Sequence, residues 1–251
     1  MPKSKVEIYS ETNKGLQRPN NEDEAGSISR EDFKAVFVAD GMGGHSSGEV
    51  ASRIVKEALM SGLNAMPTPK NIHQAKKSLK KIIKRANSLI HRLSSKKAEC
   101  YGMGTTLVLA FRMPDFTIII NCGDSRAYSF KKDNGVGLTQ LTADQTIVQY
   151  LYKLGAISKE EIKTSPKRHV LMNAIGIDIS VSYDVSIIDN DYDLILACSD
   201  GLTNMVTDSA IEKIIAEDQE ESAEKLAKDL IDKALENGGI DNIGVSIMEV
   251  R

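Results

Sequence analysis

Four apolar runs in this chain each meet a turn at an aspartate, and that recurrence restricts the fold more than any other feature. Residues 33–39 (FKAVFVA) run into Asp40-Gly41, residues 116–122 (FTIIINC) into Gly123-Asp124, and residues 192–198 (YDLILAC) into Ser199-Asp200-Gly201. Asp241-Asn242 opens the closing run at 243–250 (IGVSIMEV). Short runs rich in Val, Ile and Phe, bounded by Gly, Asp and Asn, predict buried strands. In an antiparallel sheet the end of one strand lies beside the start of the next, so the four aspartates are expected along one rim. Any one of them alone is explained as a turn former, since Asp bonds its own backbone and Gly supplies positive φ. Several carboxylates on one rim repel each other unless a cation lies between them, and hard divalent ions prefer such oxygen ligands.

The runs alternate with helical patterns. A helix is predicted from Ser46, whose spacing to Glu49 is that of a capping box, with Ala51, Ile54, Val55, Ala58 and Leu59 as its apolar face. A longer one spans about 72–97, with Leu79, Ile83 and Ile90 on one face and Lys76, Lys77, Lys80, Lys81, Lys84 and Arg85 opposite. That basic stripe reads as a solvated face or a dock for an acidic partner, and its lack of interleaved aromatics favours the first. Strands are predicted at 105–111, 116–122, 126–130, 137–141, 181–188 and 191–198, and helices at 209–217 and 221–236. Between the strands, Ile147, Leu151 and Leu154 suggest a short helix, and Ser158 with Glu161 a second cap. The order fits an α+β fold in which helix layers cover two stacked antiparallel sheets.

A chain of 251 residues suits one large domain or two small ones. With 41% hydrophobic and 27% charged residues it is globular in composition, and a net charge of −3 exerts no global pull on nucleic acid or anionic membranes. Cys100, Cys122 and Cys198 form no metal or redox spacing and fit a reducing interior. The start lacks a secretory core and no stretch reaches a membrane span, so a soluble cytoplasmic protein is expected.

Several residues point toward phosphate. Arg18, in the turn-rich stretch RPNNED, offers a planar fork that matches phosphate oxygens, or is an ordinary surface arginine. Asp40-Gly41-Met42-Gly43-Gly44-His45 is a glycine-rich turn between strand and helix, but lacks the lysine and hydroxyl of a Walker loop. No zinc spacing and no nucleophile elbow occurs. The four histidines, His45, His73, His91 and His169, do not group as metal ligands in the sequence, and His73 and His91 read as surface residues.

The blocks RPNNED (18–23), VADGMGGHSSGEVAS (38–52), GMGTT (102–106), NCGDSRAY (121–128), LTADQT (141–146), ACSDGLTNMV (197–206) and GGIDNIG (238–244) occur in that order. Together they resemble the motifs of the metal-dependent serine/threonine protein phosphatases of the type 2C class, in their bacterial form, over almost the whole chain. The resemblance implies a single catalytic domain over 1–251, built as a four-layer α-β-β-α sandwich, with a flap at about 146–172. It implies hydrolysis of phosphoserine and phosphothreonine in proteins, with two Mn2+ or Mg2+ ions and a third. Carried over by motif, Asp40 bridges two ions, Asp23 and the Gly41 carbonyl complete one site, and Asp200 and Asp241 hold the other. Asp124 with Asp200 holds the third ion, Arg18 grips the substrate phosphate, and Glu22 and Asn242 orient the ligands. The expected partners are phosphorylated proteins, among them a Ser/Thr kinase and its substrates, and the expected state is a monomer. Met42, Gln145 and His169 depart from residues frequent in the family. Two other readings stay open: a non-catalytic module of the same fold, and a metallohydrolase of small phosphate esters.

Overall fold

The computed structural model describes residues 5–43, 47–132, 137–217 and 222–251. Its strands are β1 (Val6–Asn13), β2 (Asp23–Ser29), β3 (Lys34–Met42), β4 (Gly104–Thr105), β5 (Leu107–Arg112), β6 (Thr117–Cys122), β7 (Arg126–Lys131), β8 (Gly137–Gln140), β9 (Asp184–Ile188), β10 (Leu194–Cys198) and β11 (Ile243–Val250). Its helices are α1 (Ser47–Asn64), α2 (Ile72–Lys96), α3 (Ile147–Lys153), α4 (Lys159–Thr164), α5 (Asp200–Thr203), α6 (Asp208–Glu217) and α7 (Ala223–Glu236).

The strands form two antiparallel sheets, ordered β1-β11-β10-β7-β8 and β2-β3-β5-β6-β9, with β4 pairing only with β3. β3 shows why its sequence does not alternate between polar and apolar. Ala35, Phe37 and Ala39 point to the layer of α1 and α2, while Val36 and Val38 point to the other sheet. With both faces covered, every position is apolar. Between the sheets, Val36, Val38, Val108 and Ile119 meet Ala127, Ile195, Ala197 and Met248. On the far side of the first sheet, Leu226, Leu230 and Ile211 of α7 and α6 cover Leu196, Val245 and Ile247. The result is the expected α-β-β-α sandwich.

Boundaries moved where side chains compete with the ladder. The strand expected at 105–111 is split, because Thr105 pairs with Gly41 whereas Thr106 directs its hydroxyl to the Asp40 amide. The strand expected from 181 begins at Asp184, while Val181 and Tyr183 pack against the α1–α2 core. A short α5 follows β10 where only a turn was expected. Ser46 of the first expected cap, His45 and Glu221 lie outside the described residues, whereas Ser158 and Glu161 form the second cap as expected. Among the described residues no helix is long and apolar enough to cross a membrane.

Candidate metal centre

Strand polarity gathers the acids. β3 and β6 both run antiparallel to β5, so they end on the same side, and β2 starts there beside β3. The register places Asp23 directly across from Asp40, and Asp124 follows the end of β6. In the other sheet β10 ends where β11 begins, bringing Asp200 beside the turn that holds Asp241. The single rim expected from the sequence is thus a cleft between the edges of two sheets.

Hydrogen bonds join the two edges. Ser199 Oγ, at the end of β10, donates to Asp23 Oδ2 across 2.6 Å and accepts from the Gly244 amide at 2.8 Å. Ser246 Oγ donates to the Phe37 carbonyl at 2.8 Å. Asn242 is 5% exposed and ties the β1–β2 connection to the start of β11 at three points: it accepts from the Glu22 amide and donates to the carbonyls of Lys14 and Asn20, each at 2.8 Å. Asp40 is held from behind, its amide donating to Thr106 Oγ1 and its carbonyl accepting from Thr105 Oγ1, both at 2.9 Å.

The turns are tight where glycine is placed. A Cβ on Gly41 would lie 2.2 Å from the Gly48 carbonyl oxygen, so the backbone of β3 abuts the start of α1. A Cβ on Gly201 would lie 1.8 Å from the Asn242 carbonyl oxygen. Gly201→Ala is therefore expected to push α5 away from β11 and to lower the melting temperature by roughly 3–10 °C. A melting temperature unchanged from wild type would contradict this packing.

The electrostatics are those of carboxylates crowded together and shielded from water. Asp23 is 3% exposed, and burial followed by the charges of Asp200 and Asp241 pushes its carboxyl up to about 7, against the Ser199 bond. Burial and then Asp23, Asp200, Asp124 and Asp241 raise Asp40 well above the carboxylate range. Burial, Asp200 and Asp144 raise Asp124 to about 7. Glu22 is raised chiefly by burial. Asp23 Oδ1 is buried with no hydrogen-bond partner, and a buried oxygen of this kind is costly unless a cation meets it. The donors are all hard oxygens, so they fit Mg2+ or Mn2+.

Some sequence-predicted residues meet different neighbours. Arg18 Nη2 donates to Asp241 Oδ2 at 2.7 Å, so the guanidinium lies at the cleft with one edge on a carboxylate. His169 was not grouped with the acids on sequence spacing, yet its Nδ1 lies 3.5 Å from Asp200 Oδ2, and it forms a potential three-ligand set with Asp124 and Asp200. The Asp200 hydrogen bond raises its pKa, and in the protonated state it places a positive charge against that carboxylate. Ser199 and Thr106 were also missed as partners of the acids, although both sit inside quoted motif blocks. Linear spacing carries no sign of these bonds, which span up to 176 positions.

A family model described as protein phosphatase 2C matches residues 16–236. The serine/threonine phosphatase stp of Listeria monocytogenes is 37% identical over 240 residues, covering 95% of this chain and 93% of that protein. The crystal structure of serine/threonine phosphatase Stp1 from Staphylococcus aureus superposes with a TM-score of 0.89 at 34% identity, covering 99% of this chain and 96% of that one. The catalytic domain of serine threonine protein phosphatase PstP, solved in complex with two manganese ions, superposes with a TM-score of 0.82 at 31% identity over 98% of both chains.

Proposed function

This chain belongs to the protein phosphatase 2C family, and from that premise we propose that it hydrolyses phosphoserine and phosphothreonine in proteins. The observation that carries the reading is the convergence of Asp23, Asp40, Asp124, Asp200 and Asp241, from two sheets, around a buried oxygen that lacks a partner. All five acids expected from the motifs are present, which disfavours a non-catalytic module.

In this reading Asp40, with Asp23 and the Gly41 carbonyl, would hold one ion, Asp40 with Asp200 and Asp241 would hold another, and Asp124 with Asp200 would hold a third, weaker one. When bound, divalent ions of this kind supply a water of lowered pKa for in-line attack and offset the charge of the phosphoryl group. The chain's own residues do the rest. Asn242 and Glu22 keep the loops that carry Asp23 and Asp241 in place, and Ser199 keeps Asp23 turned into the cleft. Arg18 turns its fork to the substrate phosphate. Met42 has no proton to give, so the leaving alkoxide is protonated from elsewhere in the cleft. Residues 146–172, carrying α3 and α4 and returning through the Thr146–Leu171 bridge, act as a flap beside the cleft. We further read the chain as one catalytic domain, monomeric and cytoplasmic, that reverses a Ser/Thr kinase.

The test is turnover of a phosphothreonine peptide in Mn2+, in Mg2+ and in EDTA. Turnover with either ion and none in EDTA is expected. Hydrolysis of nucleotides or small esters with the peptide left intact would instead favour the small-ester enzyme. Arg18→Ala should raise KM for the peptide roughly 10–100-fold, the worth of a charge-assisted hydrogen bond, while changing kcat less. A KM equal to wild type would remove Arg18 from substrate binding.

A further inference from the structure

The surface helices of this protein mostly neutralise their own cations. Lys225 pairs with Asp229 and Lys228 with Glu224 on α7, Arg53 with Glu49 on α1, and Lys213 with Glu217 on α6. α2 does not. Its 25 residues hold eight lysines and arginines and no aspartate or glutamate. Among the described residues no carboxylate forms an ion pair with Lys76, Lys80 or Lys84, all of them exposed. In a chain of net charge −3, this places a row of cations without an ion pair along one helix face.

That face is physically continuous with the cleft. Lys76, Lys80 and Lys84 are spaced i, i+4, i+8 and lie in one row. The row leads toward Asn87, whose amide donates to the carbonyls of Asp178 and Ile179 at 2.9 and 3.3 Å, and whose Oδ1 accepts from Gly176. One turn further on, His91 Nδ1 lies 3.2 Å from the Ile177 carbonyl oxygen. The segment so held reaches the cleft edge. Ile175 pairs with Thr105, and the Ile177 side chain fits against Gly104, which in turn pairs with Met42 at the end of β3. Ile177 and Ile179 are 40% and 81% exposed, so the track from helix to cleft has an apolar stretch as well as a basic one.

We propose that this track, the Lys76–Lys80–Lys84 row continued by Ile177 and Ile179, docks an acidic segment of the phosphoprotein substrate while its phosphorylated residue lies in the cleft. The inference rests on the phosphatase reading and names the kind of substrate that reading would take. The row is cationic and no carboxylate of its own helix neutralises it, so an acidic polypeptide is the partner whose charge complements it. The row holds no aromatic residue to stack on a base or to anchor in a bilayer, which favours an acidic polypeptide over nucleic acid or lipid.

The experiment compares two phosphothreonine peptides, one extended by a run of glutamates and the other by glutamines, with p-nitrophenyl phosphate as a small ester. Wild type should prefer the glutamate peptide roughly tenfold in kcat/KM at low salt, through KM, from a few exposed ion pairs. The preference should fade at high salt. Replacing Lys76, Lys80 and Lys84 together by Ala, a strong helix former, should abolish it and leave p-nitrophenyl phosphate turnover unchanged. No preference in wild type, or a preference that survives in the triple variant, overturns the proposal. So does lysine-dependent binding to phosphatidylglycerol vesicles without any peptide preference. If no substrate is turned over with Mn2+ present, the phosphatase reading fails, and binding of the unphosphorylated glutamate peptide to wild type and the triple variant decides the docking surface alone.

Discussion

Asp40→Asn and Asp241→Asn proteins will fold and lose phosphothreonine-peptide turnover by roughly a thousandfold or more. In the proposed reading these carboxylates hold the ions, and the size follows from several kcal/mol of charge stabilisation lost at the phosphoryl group, at about 1.36 kcal/mol per decade of rate. Asp40 lies opposite Asp23 in register and is close enough to Asp200 and Asp241 to share their charge repulsion. Asp241 is held by its own turn, its Oδ1 accepting from the Asn242 amide at 2.8 Å. An asparagine is nearly isosteric at either position, so the sandwich core is untouched. In EDTA, Asp40→Asn should melt at or above wild type, because one member of a self-repelling set has been neutralised. In Mn2+ the order should invert, since wild type gains more from binding. Retained turnover in both variants would remove the acids from the chemistry, whereas a lower melting temperature in EDTA would show that Asp40 serves the fold.

Stability without metal should fall as pH rises from about 4 to about 7, the reverse of ordinary acid denaturation. Asp23 and Asp124 have folded values of about 7 against an ordinary 3.8, and Asp40 is raised as well. Below the ordinary value these groups are protonated in both states and the shift has no effect. Between the two values the unfolded chain releases its protons while the folded protein keeps them, so the folded state binds more protons and loses stability with each step in pH. For Asp23, buried on all sides, a rise of about three units corresponds to a penalty on the order of 4 kcal/mol above pH 7. A melting temperature in EDTA lower at pH 8 than at pH 5, by roughly 10 °C, is expected. Added Mn2+ should remove the difference, since cations favour the ionised carboxylates. A metal-free protein that melts at the same temperature at both values would mean that the cleft solvates its acids.

Much of this molecule could be read without coordinates, for identifiable reasons. The runs at 33–39, 116–122 and 192–198 hold β3, β6 and β10, whose central residues are apolar in succession because both faces are covered. α2 was legible within a residue, because Ala75, Leu79, Ile83 and Ile90 repeat at helical spacing, and the structure adds Asn71 as the cap of its start. The aspartates stood out because each ends or begins a run. Short-range signals failed where long-range bonds decide. Val181 and Tyr183 look like strand residues but lie partly buried against the core under the helices, and Thr106 interrupts the strand where its Oγ1 accepts from the Asp40 amide. His169 gave no metal spacing because its neighbours, Asp124 and Asp200, lie on other strand ends.

By itself the sequence determined the longer strands and helices and which acids sit at strand ends, because periodicity and turn chemistry act between residues a few positions apart. Only the tertiary structure decided that the acids of two separate sheets share one cleft, that Asn242 and Ser199 tie its edges, and that His169 enters it. Those contacts join residues far apart in the chain, and their free energy comes from burial and from charges brought together only when the sheets stack.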